Sequence, residues 1–174
     1  CVNVEHEEVA LIPRWIDCDR VTFKYGLGEE FIDVLRTLHK LGLDSTDPVE
    51  VRGQLVSPRD VVAAALPNPA HLGDRMHGRT CAGTYVTGLG PDGAPRAVYL
   101  FHVSDNDECM ARHGSQAVVW QTAINPVVAM ELIADGTWSG NGVLGPEAFD
   151  AVPFLDRLRD SGEPWGMEER TPPA

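Results

Sequence analysis

The feature that most constrains the fold is a short connection between two strand-like runs. Thr80–Thr87 (TCAGTYVT) and Arg96–Val103 (RAVYLFHV) flank the turn-rich segment Gly88–Pro95, GLGPDGAP. Within it Pro91 presets φ, Asp92 can bond its own backbone and Gly93 tolerates positive φ, so the segment predicts a hairpin by a turn mechanism. An antiparallel pair is therefore expected at the centre of the chain.

Other elements follow from periodicity. Val21, Phe23 and Tyr25 alternate with Thr22 and Lys24, the period of a half-buried strand ended by Gly26 and Gly28. Phe31, Val34, Leu35, Leu38 and Leu41 then draw one apolar helical stripe closed by Gly42. Val49–Val51 and Gln54–Val56 are short extended pieces turned at Gly53. Ser57-Pro58 starts a helix by capping and fixed φ, with Val61, Val62, Ala65 and Leu66 as its inner face and Pro67 as its stop. Ser115 is expected to cap a helix through Ala117–Thr122, which Pro126 kinks or restarts before Val127–Ile133 continues it to Gly136. A last helix, Val152–Arg159, ends at Gly162, and Arg170–Ala174 reads as a tail. Segregated strands and helices predict an α+β fold with a mixed, largely antiparallel sheet covered by helices.

Composition excludes some partners. The 174 residues include 26 acidic and 14 basic side chains, a formal charge of −12, which repels nucleic acid and anionic membranes. There is no run of 18 apolar residues and no signal-peptide pattern, so no membrane partner is expected. Cys1, Cys18, Cys81 and Cys109 are widely spaced, which predicts reduced thiols in a cytoplasmic chain, with Cys81 in a strand core. The chain opens on Cys rather than Met, and an excised piece of a longer protein is expected.

Several residues could carry chemistry. The glycines of GTYVTGLGPDG lead through prolines into a strand and not into a helix, so they form no dinucleotide fingerprint. The run His102, Asp105, Asp107, Glu108, Cys109 and His113 could seat one zinc ion or be a solvated acidic loop beside a sheet-edge histidine. It matches no zinc-ligand spacing, and no metal is expected. A strand-end His102 beside Asp105 could have its tautomer set by that carboxylate and move a proton, or could be a packing residue. Arg75 and Arg79, between a helix and the hairpin, are candidate binders of a substrate carboxylate, with idle surface charge as the alternative. Gln121 and Thr122, before Asn125-Pro126, gather free polar groups in an apolar helix, at either a helix junction or a point facing a ligand.

The segments LGLDSTDPVEV, VSPRDVVAAALPNPAHLG, TCAGTYVTG with DGAPRAVYLFHVSDNDE, and GSQAVVWQTAINPVVAMELIADGTWSGNGVLGPEAFDAVPFLDRLRDSGEPWGM resemble the C-terminal domain of the saccharopine dehydrogenase family. That family includes saccharopine reductases, lysine 6-dehydrogenases and carboxynorspermidine dehydrogenases. The similarity runs from about Val21 to Gly166, and its most specific part is the order S-Q-A, Q-T, G-V-L-x-P-E, F-L-x-x-L.

The resemblance implies a two-domain enzyme whose N-terminal Rossmann domain binds NAD or NADP and is absent from this chain. Residues 1–174 are then one substrate-binding and dimerisation domain, similar to the C-terminal domain of glyceraldehyde-3-phosphate dehydrogenase. The implied partners are an amino-acid or polyamine substrate, the Rossmann domain and a second copy in a homodimer. The implied activity is hydride transfer at a C–N bond, as in lysine metabolism, with the isolated domain inactive. His102 and Asp105 are then the proton-handling candidates, Arg75 and Arg79 the substrate binders, and Gln121 and Thr122 the groups near the cofactor. Relatives often carry Thr-Gly where this chain has Ala123-Ile124-Asn125. The competing expectation is a non-catalytic binding or assembly module that kept the fold.

Overall fold

The structure is a computed structural model and describes residues 1–163 and 165–173. It divides into two compact units, Cys1–Pro69 and Ala70–Ala174. The fold is α+β, and its strand pairs are all antiparallel where described, rather than mixed.

In the first unit β1 (Val2–Val4) pairs with β2 (Phe23–Tyr25), and the short helix α1 (Glu8–Leu11) runs into a 3-10 turn at Ile12–Arg14. Strand β2 begins two residues later than its alternation suggests. Helix α2 (Glu29–Lys40) has acidic residues in its first turn and His39 and Lys40 in its last, matching the helix dipole, and Gly42 follows at φ 69°. Strands β3 (Val49–Val51) and β4 (Gln54–Val56) form the expected hairpin, in which both Arg52 and Gly53 take positive φ. Helix α3 (Pro58–Ala65) starts at Pro58 as expected, but the Ser57 hydroxyl makes no cap bond and is buried without a partner among the described residues. Its anticipated inner face is not covered, since Val61 and Leu66 are exposed, as are Phe31, Val34 and Leu35 of α2. None of the first 69 residues is buried, so periodicity set these helices but no core within the unit closes over them.

The second unit is built on the predicted hairpin. Strands β5 (Arg79–Leu89) and β6 (Pro95–Asp105) pair along their whole length, from Arg79 opposite Asp105 to Leu89 opposite Pro95. A third strand, β7 (Trp165–Arg170), adds to the other side of β6, occupying residues up to the first position of the expected tail. Ala174, the end of that tail, lies outside the described residues.

One face of this sheet is covered by helix α5 (Ala117–Ala134), helix α6 (Ala151–Asp160) and helix α4 (Asn106–His113). Ile124, Val128 and Leu132 recur every four residues on α5 and bury against Trp138 and Leu158, with Phe149, Phe154 and Trp165 packed around them. Trp138 stacks on Phe149 at 4.8 Å and on Phe154 at 5.7 Å, and its indole N–H donates to the Asp150 carbonyl at 3.0 Å. Arg157 of α6 ties the two helices by bonding Glu131 and Asp135.

Helix α5 differs from its expected form in two ways. It is continuous through Pro126, because a proline removes one backbone donor and the flanking helix stays packed on the sheet. Its first residue is held not by Ser115 but by Asn106, whose side-chain oxygen accepts from Ala117 N at 3.0 Å. By length and composition α5 could also cross a membrane, since its four polar residues are too few to offset the rest. Its inner face is buried against the sheet as in a core helix.

Candidate functional site

The two faces of β6 separate the residues singled out in the sequence. His102 and Ser104 point under the helices and are buried, whereas Tyr99, Phe101 and Asp105 belong to the opposite, open face. His102 and Asp105 are therefore not partners: three residues apart is an odd step, and a strand alternates with period two.

On the open face Arg79 Nε donates to Asp105 Oδ2 at 3.1 Å across the strand pair. The same carboxylate caps α4, accepting from Asp107 N at 3.0 Å and Glu108 N at 3.3 Å. The Arg79 bond, then the Glu108 amide, holds the Asp105 carboxyl below the usual carboxylate range. Arg75 is exposed and ends a 3-10 turn, Gly73–Arg75, whose first residue, Gly73, is buried. Cys81 is exposed rather than in a core, with Sγ 3.4 Å from the Tyr99 hydroxyl, a contact that raises the phenol's pKa. Tyr99 and Phe101 stack at 5.3 Å. Gly83 and Gly166 lie beneath these rings, where an added Cβ would fall 2.9 Å from the Tyr99 ring and 2.5 Å from the Phe101 ring.

Under the helices lies a buried polar group that the sequence reading only half located. Glu163, 6% exposed, sits between α6 and β7. Its Oε2 is 3.0 Å from His102 Nε2, and its Oε1 accepts from Trp120 Nε1 at 2.6 Å. The His113 imidazole stacks flat on the Trp120 indole, with centroids 3.6 Å apart and planes within 5°. Gln121 Nε2 donates to the His102 carbonyl at 3.0 Å and reaches the Thr80 carbonyl at 3.5 Å. Next to it Ser104 Oγ and Thr80 Oγ1 are buried without a hydrogen-bond partner among the described residues. His102 is thus held at its ring by a carboxylate and at its backbone by an amide. This arrangement can orient an imidazole and keep one of its nitrogens protonated.

Gln121 and Thr122 are separated by the helix. Gln121 is buried and spends its amide on the sheet, whereas the exposed Thr122 hydroxyl donates back to the Val118 carbonyl at 2.6 Å. Thr122 shares the outer surface of α5 with Val118, Val119, Val127, Met130 and Ile133, all exposed. Among the described residues, the acidic run after β6 does not bring three possible ligand atoms together. Asp105 caps α4, Asp107 bonds His77 at 2.8 Å, and Cys109 is buried, which pushes its thiol pKa up. Among the described residues only His6, Glu7 and Glu8, near the start of the chain, bring three ligand atoms within 4.8 Å of one another.

Glu163 and Trp120 were missed as site residues. The available signal was an acidic residue between Gly162 and Trp165 at a helix-to-strand connection, where solvent-exposed acids are also common.

A profile of the saccharopine dehydrogenase C-terminal domain matches residues 1–163. Carboxyaminopropylagmatine dehydrogenase of Synechocystis sp. is 33% identical over 161 residues, covering 92% of this chain and 40% of that protein. Carboxynorspermidine synthase of Vibrio alginolyticus is 30% identical over 171 residues, covering 98% and 41%, and that of Vibrio cholerae is 28% identical over the same length. The chain spans about two fifths of the length of these curated relatives. With a match that takes in nearly its whole length, the chain belongs to the saccharopine dehydrogenase C-terminal domain family.

Proposed function

We propose that this chain is the substrate-binding and dimerisation part of an NAD(P)-dependent oxidoreductase acting on a C–N bond of a carboxylated polyamine derivative. The observation that carries this reading is the set of relatives, dehydrogenases and synthases whose names denote carboxylated polyamines. A charge of −12 suits a substrate with several ammonium groups better than it suits saccharopine or lysine alone.

The residues of this chain do not themselves fit a dinucleotide. The Gly-rich segment is a β-hairpin turn, and the Gln121 amide is used within the unit. The nicotinamide, which supplies or accepts the hydride, is therefore assigned to a companion domain, with the apolar outer face of α5 and Thr122 as the surface that meets it. His102, oriented by Glu163, is the group assigned to the proton, and Arg75 is the residue left to meet a substrate carboxylate, Arg79 being paired. The open face of the β5–β6–β7 sheet, with Tyr85 and Val103 exposed, is assigned to the dimer contact. The four free thiols fit a reducing, cytoplasmic compartment.

The test is to supply the full-length protein with oxidised NAD or NADP and a carboxylated polyamine, which gives up the hydride, then follow the appearance of reduced nicotinamide absorbance against saccharopine as the competing substrate. Turnover selective for the polyamine is expected. Absence of turnover with any amine, alongside intact assembly, would leave the non-catalytic module as the better account.

A further inference from the structure

We propose that Glu163 is a positioning residue that locks His102 with its proton on Nε2, leaving Nδ1 as the nitrogen that gives and takes the proton. The inference rests on the proton role assigned to His102 above and names how the fold enforces it.

The assignment follows from what each partner can do. An indole nitrogen is a donor only, so at 2.6 Å from Trp120 Nε1 the Oε1 of Glu163 is an acceptor. A carboxylate accepts on both oxygens, and Oε2 lies 3.0 Å from His102 Nε2. Nε2 then carries the hydrogen that points at Oε2. Among the described residues Nδ1 has no hydrogen-bond partner, so it is the valence left for a proton in transit.

Neither side of this contact is free to turn. The Trp120 ring that holds Glu163 is itself covered by His113, and the His102 backbone is bonded by Gln121. His102 and Glu163 are 7% and 6% exposed, so water competes weakly for either. The two lie 61 residues apart and come from different elements. Their meeting is a product of the packed fold rather than of local sequence.

Glu163→Gln separates the lock from simple stability. A glutamine can still accept from Trp120 through its carbonyl, but its amide presents a donor to Nε2, which reverses the tautomer to Nδ1–H. Long-range 1H–15N spectra of the chain, at a pH where His102 is neutral, report which nitrogen is protonated. The His102 signals are identified by their loss in His102→Gln. The expected result is Nε2–H in the native protein and Nδ1–H in Glu163→Gln, with unchanged circular dichroism. Nδ1–H in the native protein, or one tautomer in both, overturns the proposal.

In the full-length enzyme Glu163→Gln should lower kcat by about 10²- to 10⁴-fold with KM little changed, the scale seen when a histidine is held in the wrong tautomer. His102→Ala should cost a similar factor, and the double variant no more than either alone. If the spectra show the lock but both variants keep native kcat/KM, the proton role of His102 is overturned while the geometry stands. Glu163→Asp, which keeps the charge, should recover part of the loss, whereas a purely structural Glu163 would show loss tracking the melting temperature.

Discussion

Asn106 Oδ1 accepts the backbone N–H of Ala117 at 3.0 Å, while Asn106 Nδ2 donates to the Gly73 carbonyl at 3.0 Å and the Met76 carbonyl at 2.7 Å. One buried amide at the start of α4 thus joins the first turn of α5 to the loop before β5. It does what a local cap would do for α5, from eleven residues away.

Replacing Asn106 by Ala should destabilise the chain by about 2–4 kcal/mol, since each buried polar group left without a partner costs on the order of 1–3 kcal/mol. Asn106→Asp keeps the acceptor for Ala117 but turns both donated bonds into repulsions, so it should not rescue. Urea midpoints check both variants, and a loss below about 1 kcal/mol for Asn106→Ala would contradict the role.

The Asp105 carboxylate predicts a pH dependence. Its folded pKa lies below the ordinary value of 3.8 because Arg79 and the α4 amides favour the charged form. A depressed folded pKa contributes stability that is complete above the unfolded value and is lost as pH falls through the folded one. Melting temperatures of the native chain and Asp105→Asn should therefore converge as pH is lowered from 5 towards 2, over about the acid range in which carboxylates protonate. Parallel curves over that range would show that the carboxylate charge is not what caps α4.

Gly83 and Gly166 should respond differently to Ala. At Gly83 a new Cβ would lie 2.6 Å from the Leu100 carbonyl oxygen as well as 2.9 Å from the Tyr99 ring, and the backbone of a paired strand cannot move aside. At Gly166 the clash is with the Phe101 ring alone, which can swing towards the open face. Gly83→Ala should cost about 1–3 kcal/mol and Gly166→Ala less. The reverse order in denaturation would overturn this account of the open face.

The two faces of α5 make opposite predictions. Leu132, 1% exposed in the core, should cost about 2–5 kcal/mol when cut to Ala. Met130 and Ile133, 60% and 58% exposed, should each change stability of this chain by less than about 0.5 kcal/mol as Gln. In the full-length protein the paired Gln substitutions should lower melting temperature and kcat/KM if that face meets a companion domain. Unchanged values there would remove α5 from the seam.

The sequence carried the hairpin, the helix α2 with its closing glycine, the β3–β4 turn and the start of α3 at Pro58. These rest on interactions within a few residues: turn chemistry, periodicity and the fixed φ of proline. Cys81 and the Ser115 cap were misjudged for a common reason. Alternation says that a strand has two faces but not which one is covered, and a cap can be supplied from outside the helix.

The candidate site divides along the same line. Gln121 stood out as a polar residue in an apolar run and His102 as a strand-end imidazole, and both are buried in one group. Asp105 was placed beside His102 by proximity in sequence, and the strand sends it to the other face, where it pairs with Arg79. By itself the sequence determined the central hairpin, the helices α2, α3, α5 and α6 and the family they compose, because those depend on local backbone preference and on motif order; it did not mark β1, α1, α4 or β7. Only the tertiary structure decided that Glu163 reaches both His102 and Trp120. That contact forms when α6 folds back and β7 adds to β6, and no local pattern encodes a meeting across 61 residues.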